Sequence, residues 1–166
     1  MCGMNRRQAL ALLPAALAAA SLGACADSGT GPAPVRWGKE NCAYCGMIVD
    51  DPRFAAQVRG GPKGKVYKFD DLGDAILWMA KQSFSDDPAT EFWVGDSDAG
   101  ATPGKAGGWL DGRKAWYLSG RKSPMAHNFG AVSDQRDGSI DFAELRKTII
   151  ARGSPTQCAT PAEGSS

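Results

Sequence analysis

The sequence predicts an α+β fold made of two small, related ββαβ-type units, with mainly antiparallel strands and one helix in each. Short stretches of alternating, β-branched and aromatic residues are separated by turns rich in Gly, Pro and Asp. Two other stretches change to a helical period, and each follows an acidic residue that can cap a helix. Both halves of the folded region therefore share an order of strands followed by a helix.

The first unit is predicted to cover residues 41–98. Its strands are predicted at 47–49, 53–59, 65–69 and 91–95. A helix is predicted over 71–82, because apolar residues recur there on one helical face. Asp71, with Asp74 three residues later, is the expected N-terminal cap of this helix, and the adjacent carboxylates of Asp70 and Asp71 are interpreted as part of that cap.

The second unit is predicted to cover residues 99–152, and the boundary between the two units lies within a loop at 96–108 that is rich in glycine and other small residues. Strands are predicted at 113–120 and 128–133, and a helix at 141–152. Asp141 and Glu144 are spaced as a capping box for that helix. The stretches YKFDDLGDAIL and SIDFAELRKTI share an acidic cap and a similar apolar rhythm, which indicates a weak internal repeat.

The N-terminus has the features of an exported lipoprotein. Arg6 and Arg7 precede an apolar run, and the segment ends in LGAC at Cys25. This arrangement is typical of a signal peptide, and its end resembles a bacterial lipobox. We therefore expect a signal peptide at residues 1–24 and a lipid attached to Cys25.

Segments rich in small and polar residues flank the folded region. Residues 25–40 are predicted to be a flexible tether, and residues 153–166, which include Cys158, a disordered tail. Removing residues 1–24 takes away two of the 19 basic residues and none of the 18 acidic ones. The remaining chain has 17 basic and 18 acidic residues. It therefore lacks the excess of basic residues that is typical of a nucleic-acid-binding protein.

Cys42 and Cys45, in NCAYCGMIVD, allow several interpretations. A thioredoxin-type pair needs a helix after the motif, but the following residues are strand-like and are interrupted by Pro52. Structural zinc needs four ligands, so carboxylates would have to complete a set of two cysteines and one histidine. A local disulfide and a pair of soft metal ligands remain open as alternatives.

A second soft pair lies in SGRKSPMAHNFG, which contains His127, the single histidine of the chain. Met125 is two positions earlier, and Pro124 favours an extended backbone at Ser123. In an extended segment, residues two apart point to the same side. We therefore expect a thioether and an imidazole to project together from an exposed polar loop, a set that suits Cu(I).

Three motifs together resemble the NosL family, the copper-binding lipoproteins that accompany nitrous oxide reductase. They are LGAC ending at Cys25, CAYCGMIV at 42–49 and SPMAHNFGAVS at 123–133. The resemblance implies two related ββαβ units and a Cu(I) chaperone facing the periplasm. Its implied partners are a copper-maturation machinery in the membrane and nitrous oxide reductase, which gives the chain a role in denitrification.

The resemblance also ranks the candidate copper ligands. Met125 and His127 come first, Met47 and Cys45 second, and Cys42 third. No enzymatic activity is expected. The alternatives are a periplasmic thiol–disulfide oxidoreductase that uses the cysteine pair, and a lipoprotein binding module.

The location expected from these features is the bacterial cell envelope, with the chain anchored by its lipid and facing the periplasm. Ala26 follows the lipidated cysteine, where the inner-membrane retention signal carries aspartate. The outer membrane is therefore preferred over the inner membrane.

Overall fold

The computed structural model describes residues 29–100, 105 and 107–155. The predictions of a signal peptide, of lipid attachment at Cys25 and of a disordered tail around Cys158 lie outside these residues. The strands and helices are β1 (Ala56–Gly60), β2 (Lys65–Phe69), α1 (Leu72–Met79), β3 (Glu91–Gly95), β4 (Trp109–Asp111), β5 (Trp116–Ser119), β6 (Phe129–Val132) and α2 (Phe142–Arg152). The α+β class, with antiparallel strands and two helices, is confirmed. None of the helices described is both long and apolar enough to cross a bilayer.

Four strands form one antiparallel sheet in the order β2-β1-β3-β4, and β5 and β6 form a separate antiparallel pair. The first unit contains two strands, a helix and a strand, and the further strand predicted at 47–49 is absent from the described residues. In the described part of the second half, three strands precede α2. Its first strand, β4, completes the sheet of the first unit by pairing with β3. Sequence analysis did not predict β4, because three residues are too few to show an alternating pattern.

Strand β1 is buried on both faces of the sheet. Ala56 and Val58 belong to the hydrophobic core, so the alternation of a strand places Gln57 and Arg59 on the opposite face. The Gln57 amide exchanges two hydrogen bonds with the backbone of Ala33, at 2.9 and 3.0 Å. Arg59 donates to the carbonyl oxygen of Gly31 at 3.1 Å.

These contacts correct the predicted tether, since residues 29–40 lie against the sheet. The composition of this segment predicted a flexible chain, but buried polar side chains of β1 satisfy its backbone groups. Lys68 of β2 also donates to the carbonyl oxygen of Pro34 at 2.6 Å and forms an ion pair with Glu40 at 2.8 Å. The segment therefore runs along the sheet towards the cysteine pair.

Both predicted helix caps are confirmed. Asp71 Oδ1 accepts a hydrogen bond from the backbone N–H of Gly73 at 2.9 Å, and Asp141 Oδ1 accepts one from Glu144 at 2.9 Å. Each cap satisfies one N–H group that the first turn of a helix leaves free. Helix α1 packs against α2, β1 and β2, so its acidic N-terminus is held inside the fold.

Candidate metal centre

The two cysteines lie in a tight loop before the sheet. The backbone N–H of Cys42 donates to the carbonyl oxygen of Met47 at 2.7 Å, and that of Gly46 donates to Cys42 at 3.0 Å. Gly46 has φ 78°, a conformation that glycine adopts without the steric cost of a side chain. The predicted strand at 47–49 is only a single bridge between Asn41 and Ile48. The loop closes on itself and turns both thiols towards α1.

Three aspartates lie at the start of α1, and all are buried. Asp70 is 2% exposed, whereas Asp71 and Asp74 have no exposed surface. Asp71 Oδ2 accepts hydrogen bonds from Ser123 Oγ at 2.6 Å and from the backbone N–H of Met125 at 3.1 Å. Burial raises the pKa of Asp71, and these hydrogen bonds partly oppose the shift. Asp71 thus joins the helix cap to the loop that carries Met125 and His127.

The other two aspartates meet the thiols. Cys42 Sγ donates to Asp74 Oδ2 at 3.6 Å, and Cys45 Sγ donates to Asp70 Oδ1 at 3.4 Å. One ligand atom from each of these four residues lies within 4.8 Å of the others. We call Cys42, Cys45, Asp70 and Asp74 the thiol–carboxylate cluster.

Sequence analysis missed the carboxylates of this cluster. Asp70 and Asp71 were interpreted as part of a helix cap, and Asp74 as support for it. One signal was available, because three aspartates within five residues are more than a single cap needs. The spacing alone does not show that two of them face cysteines from a distant segment.

The thiols of the cluster are free and largely shielded from water. Cys42 is 4% exposed and Cys45 is partly exposed, and neither forms a disulfide. Burial raises the pKa of Cys42 to about 11. The pKa of Cys45 is also raised, first by burial and then by its carboxylate and thiol neighbours. Both side chains are therefore protonated donors near neutral pH.

The Met125–His127 segment differs from its prediction in two respects. The expected extended, exposed loop is wrong, because Ala126 and Asn128 have φ values of 59° and 61° and the segment turns sharply. The N–H of Ala126 donates to the carbonyl oxygen of Ser123 at 3.1 Å, closing the turn. Met125 and His127 are only 7% and 3% exposed. Hydrogen bonds to Asp71 hold this turn against the helix, which local preferences of the residues do not reveal.

His127 packs against the first turn of α1. Its Nε2 is 3.0 Å from Asp74 Oδ1. The ring fits because residue 73 is glycine, since a Cβ atom there would lie 2.2 Å from Cγ of His127. Asp74 thus contacts Cys42 with one carboxylate oxygen and His127 with the other.

The structure therefore brings together only some of the five predicted ligands. Cys42, Cys45 and His127 converge on the start of α1, and Met125 is buried on the same helix end through its backbone. Met47 is 58% exposed and points its side chain outside this buried group. The arrangement offers soft sulfur and imidazole donors beside buried carboxylates, a chemistry suited to holding a metal cation.

Comparison with known proteins identifies the family and the fold of this chain. The sequence model of the NosL family matches residues 36–146, a range that contains every residue of the site. The crystal structure of the copper chaperone NosL from Shewanella denitrificans matches with a TM-score of 0.52 and 16% sequence identity, over 73% of this chain and 87% of that chain. At this identity the match shows a shared fold. A comparison with curated protein sequences finds no match. The family model matches more than half of the residues of this chain, and the chain therefore belongs to the NosL family.

Proposed function

We propose that this chain is a Cu(I) chaperone, anchored by a lipid in the cell envelope and facing the periplasm. It would deliver copper for assembly of the copper centre of nitrous oxide reductase. Membership of the NosL family and the fold shared with a protein named as a copper chaperone support this proposal. In this role the protein is a carrier and catalyses no reaction.

The observation that carries the proposal is the pair of free thiols gathered with buried carboxylates at the start of α1, where the buried His127 contacts one of those carboxylates. Thiolate, thioether and imidazole are the side-chain donors that suit Cu(I), whereas carboxylate oxygen suits harder cations. We therefore assign Cys42, Cys45 and His127 as copper ligands, with the Met125 thioether beside them. Met47 is a transient ligand at the surface.

The carboxylates have a different role in this proposal. When Nε2–H of His127 donates to Asp74, the unprotonated nitrogen of the neutral ring is Nδ1, so Asp74 selects the nitrogen that binds metal. Asp70 and Asp74 accept hydrogen bonds from the thiols. Because thiolates bind the metal, each thiol must lose its proton, and these carboxylates are the nearest acceptors.

Transfer of copper requires a ligand that an incoming group can displace. Cys45 is more exposed than Cys42, and the exposed Met47 follows two residues later. A thioether is neutral and forms no disulfide, so Met47 can bind copper briefly in an oxidising compartment. We therefore place entry and exit of the metal on the Cys45 side of the cluster.

The alternative of a thiol–disulfide oxidoreductase fits this geometry less well. Such enzymes lower the pKa of the attacking cysteine, often at a helix N-terminus. Here the Asp71 carboxylate caps the helix, and the pKa values of both cysteines are raised. Few thiolates would be present to attack a disulfide at neutral pH.

Anaerobic titration of the reduced protein with Cu(I), against a competing chelator, tests the proposal. We expect about one tightly bound Cu(I) per chain, a stoichiometry that follows from a single cluster of soft donors. Paired Cys42→Ser and Cys45→Ser substitutions, or paired Met125→Leu and His127→Asn substitutions, should remove tight binding.

Met79→Leu is the matched control. Met79 is a buried methionine like Met125, but it lies at the C-terminal end of α1, away from the metal centre at the start of that helix. This variant should bind copper as the parent does. If the protein ignores Cu(I), or if both pairs of substitutions leave the affinity unchanged, the chaperone assignment is wrong. Delivery is tested separately by the copper content of nitrous oxide reductase in cells with and without this chain.

A further inference from the structure

We propose that the protein stands on the membrane with its β1–β2 turn towards the lipid headgroups and its metal centre at the opposite end, facing solvent. This inference rests on the lipid anchor at Cys25 that is part of the proposed function. The surface around the β1–β2 turn is then a docking surface for the bilayer that holds the anchor. Three observations carry it.

The first observation is how close the anchor lies to the folded domain. Gly29 is four residues after Cys25. Four residues span at most about 14 Å even when fully extended. The position of Gly29 on the domain therefore decides which end of the domain lies next to the bilayer.

The second observation is that the chain enters the domain at the β1–β2 turn. Gly29 and Thr30 line the same surface cleft as Gly60 and Pro62 of that turn. The next residue, Gly31, donates its N–H to Glu91 Oε2 at 2.7 Å and accepts a hydrogen bond from Arg59. Glu91 and Arg59 pair with each other across β3 and β1 near the turn.

The third observation is that the metal centre lies at the other end of the same hairpin. Gly60 pairs with Lys65 beside the turn, whereas Ala56 pairs with Phe69 at the far end. Asp70 follows Phe69 directly. Four residue steps along a strand of about 3.3 Å each separate the two ends by about 13 Å.

The N-terminal segment connects these two ends. It contacts Gln57 through Ala33 and Lys68 through Pro34, and then enters the cysteine loop. There the N–H of Ala43 donates to the carbonyl oxygen of Lys68 at 2.8 Å. The ordered segment therefore leads from the anchored end to the metal centre and fixes the direction of the domain relative to the anchor.

Charge at the turn does not select a lipid type. Lys63 and Lys65 are exposed there, and Asp86 and Asp87 are exposed in the loop that precedes β3. These two cations and two anions balance, so the covalent anchor, and not an anionic headgroup, sets the orientation. Vesicles of neutral phosphatidylcholine should therefore be sufficient to produce it.

The test uses the full lipidated protein on phosphatidylcholine vesicles, with a fraction of the lipids carrying a nitroxide on the headgroup. A fluorescent non-canonical amino acid replaces either Lys63 at the turn or Ala43 in the cysteine loop; both positions are exposed. This label avoids thiol chemistry and so leaves Cys42 and Cys45 intact. We expect the headgroup nitroxide to quench position 63 several-fold more than position 43.

A spacer provides an independent check that does not alter the folded domain. About twelve Gly and Ser residues inserted between 28 and 29 add roughly 20 Å of flexible reach. The difference in quenching between the two positions should then shrink.

Equal quenching at both positions, or stronger quenching at position 43, would overturn the proposed orientation. Copper binding is measured on the protein labelled at position 63, which lies away from the metal centre, and lipid on Cys25 by mass spectrometry. If the protein binds Cu(I) but carries no lipid and dissociates from the vesicles, the proposed orientation is refuted and the carrier function is not. Protein that orients as expected but does not bind Cu(I) refutes the carrier function alone.

Discussion

Nε2 of His127 lies 3.0 Å from Oδ1 of Asp74, and both side chains are buried against the first turn of α1. The other oxygen of the same carboxylate accepts a hydrogen bond from Cys42. One aspartate therefore positions two of the proposed copper ligands, which come from segments on either side of it in the sequence.

Replacing Asp74 with Asn should weaken copper binding by about 10- to 100-fold, the usual effect of losing a residue that orients a metal ligand. An amide can donate to His127 and so favour the wrong ring nitrogen for metal binding. The Cu(I) affinity is measured by chelator competition, and retained folding by circular dichroism. Asp98→Asn, far from the cysteines in sequence and partly exposed, is the control. An Asp74→Asn protein with parental affinity would refute the role given to this residue.

Replacing Gly73 with Ala should displace the His127 ring, because the added Cβ would lie 2.2 Å from Cγ of that ring. Alanine favours a helix over glycine by about 1 kcal/mol, so a loss of copper affinity would not be explained by a weaker helix. Gly108→Ala is the matched control, since a Cβ there meets other atoms only at 3.8 Å or more. Unchanged Cu(I) affinity in the Gly73→Ala protein would contradict the proposal that His127 is a ligand.

Replacing Ser123 with Ala should destabilise the Met125–His127 turn. Ser123 Oγ donates to Asp71 at 2.6 Å and accepts from the N–H of Asn128 at 2.9 Å. The substitution removes one of the two hydrogen bonds to Asp71 Oδ2 and leaves the N–H of Asn128 without this partner, which should lower the free energy of unfolding by about 1–3 kcal/mol, measured by urea denaturation. Ser133→Ala is the control, because the hydroxyl of Ser133 is exposed and should contribute less than about 0.5 kcal/mol.

Asp98 should make part of the stability depend on pH. Hydrogen bonds from Arg121 and Arg136 lower the pKa of Asp98 in the folded protein below its value in the unfolded chain. The carboxylate therefore contributes stability above the unfolded pKa of about 4, and this contribution is lost as the pH falls through the folded pKa.

Because the group is partly exposed, the contribution should be about 1 kcal/mol or less. The comparison is between the parent protein and Asp98→Asn, whose difference in unfolding free energy should be present at pH 7 and decrease in acid. A difference that stays constant from pH 7 into acid would exclude this origin.

Sequence patterns correctly predicted the features that depend on near neighbours. Asp71 and Asp141 were identified as helix caps because capping joins residues two or three apart. The alternation that predicts β2 and β3 is equally local. The cysteine pair and the Met125–His127 pair stood out because their donor chemistry can be read from residue type.

The geometry of the site depends on contacts between residues distant in sequence. Asp74 and His127 are 53 positions apart, and Cys42 and Asp74 are 32 apart. No local period reports such contacts, so Asp70 and Asp74 were assigned only to a cap.

By itself the sequence determined the α+β class, the helix caps and the soft donors, because each follows from residue type and short spacing. Tertiary structure alone decided that residues 29–40 lie on the sheet and that Met125 and His127 are buried. The physical reason is that polar backbone and side-chain groups removed from water must find partners, and only the closed fold determines which groups are near enough.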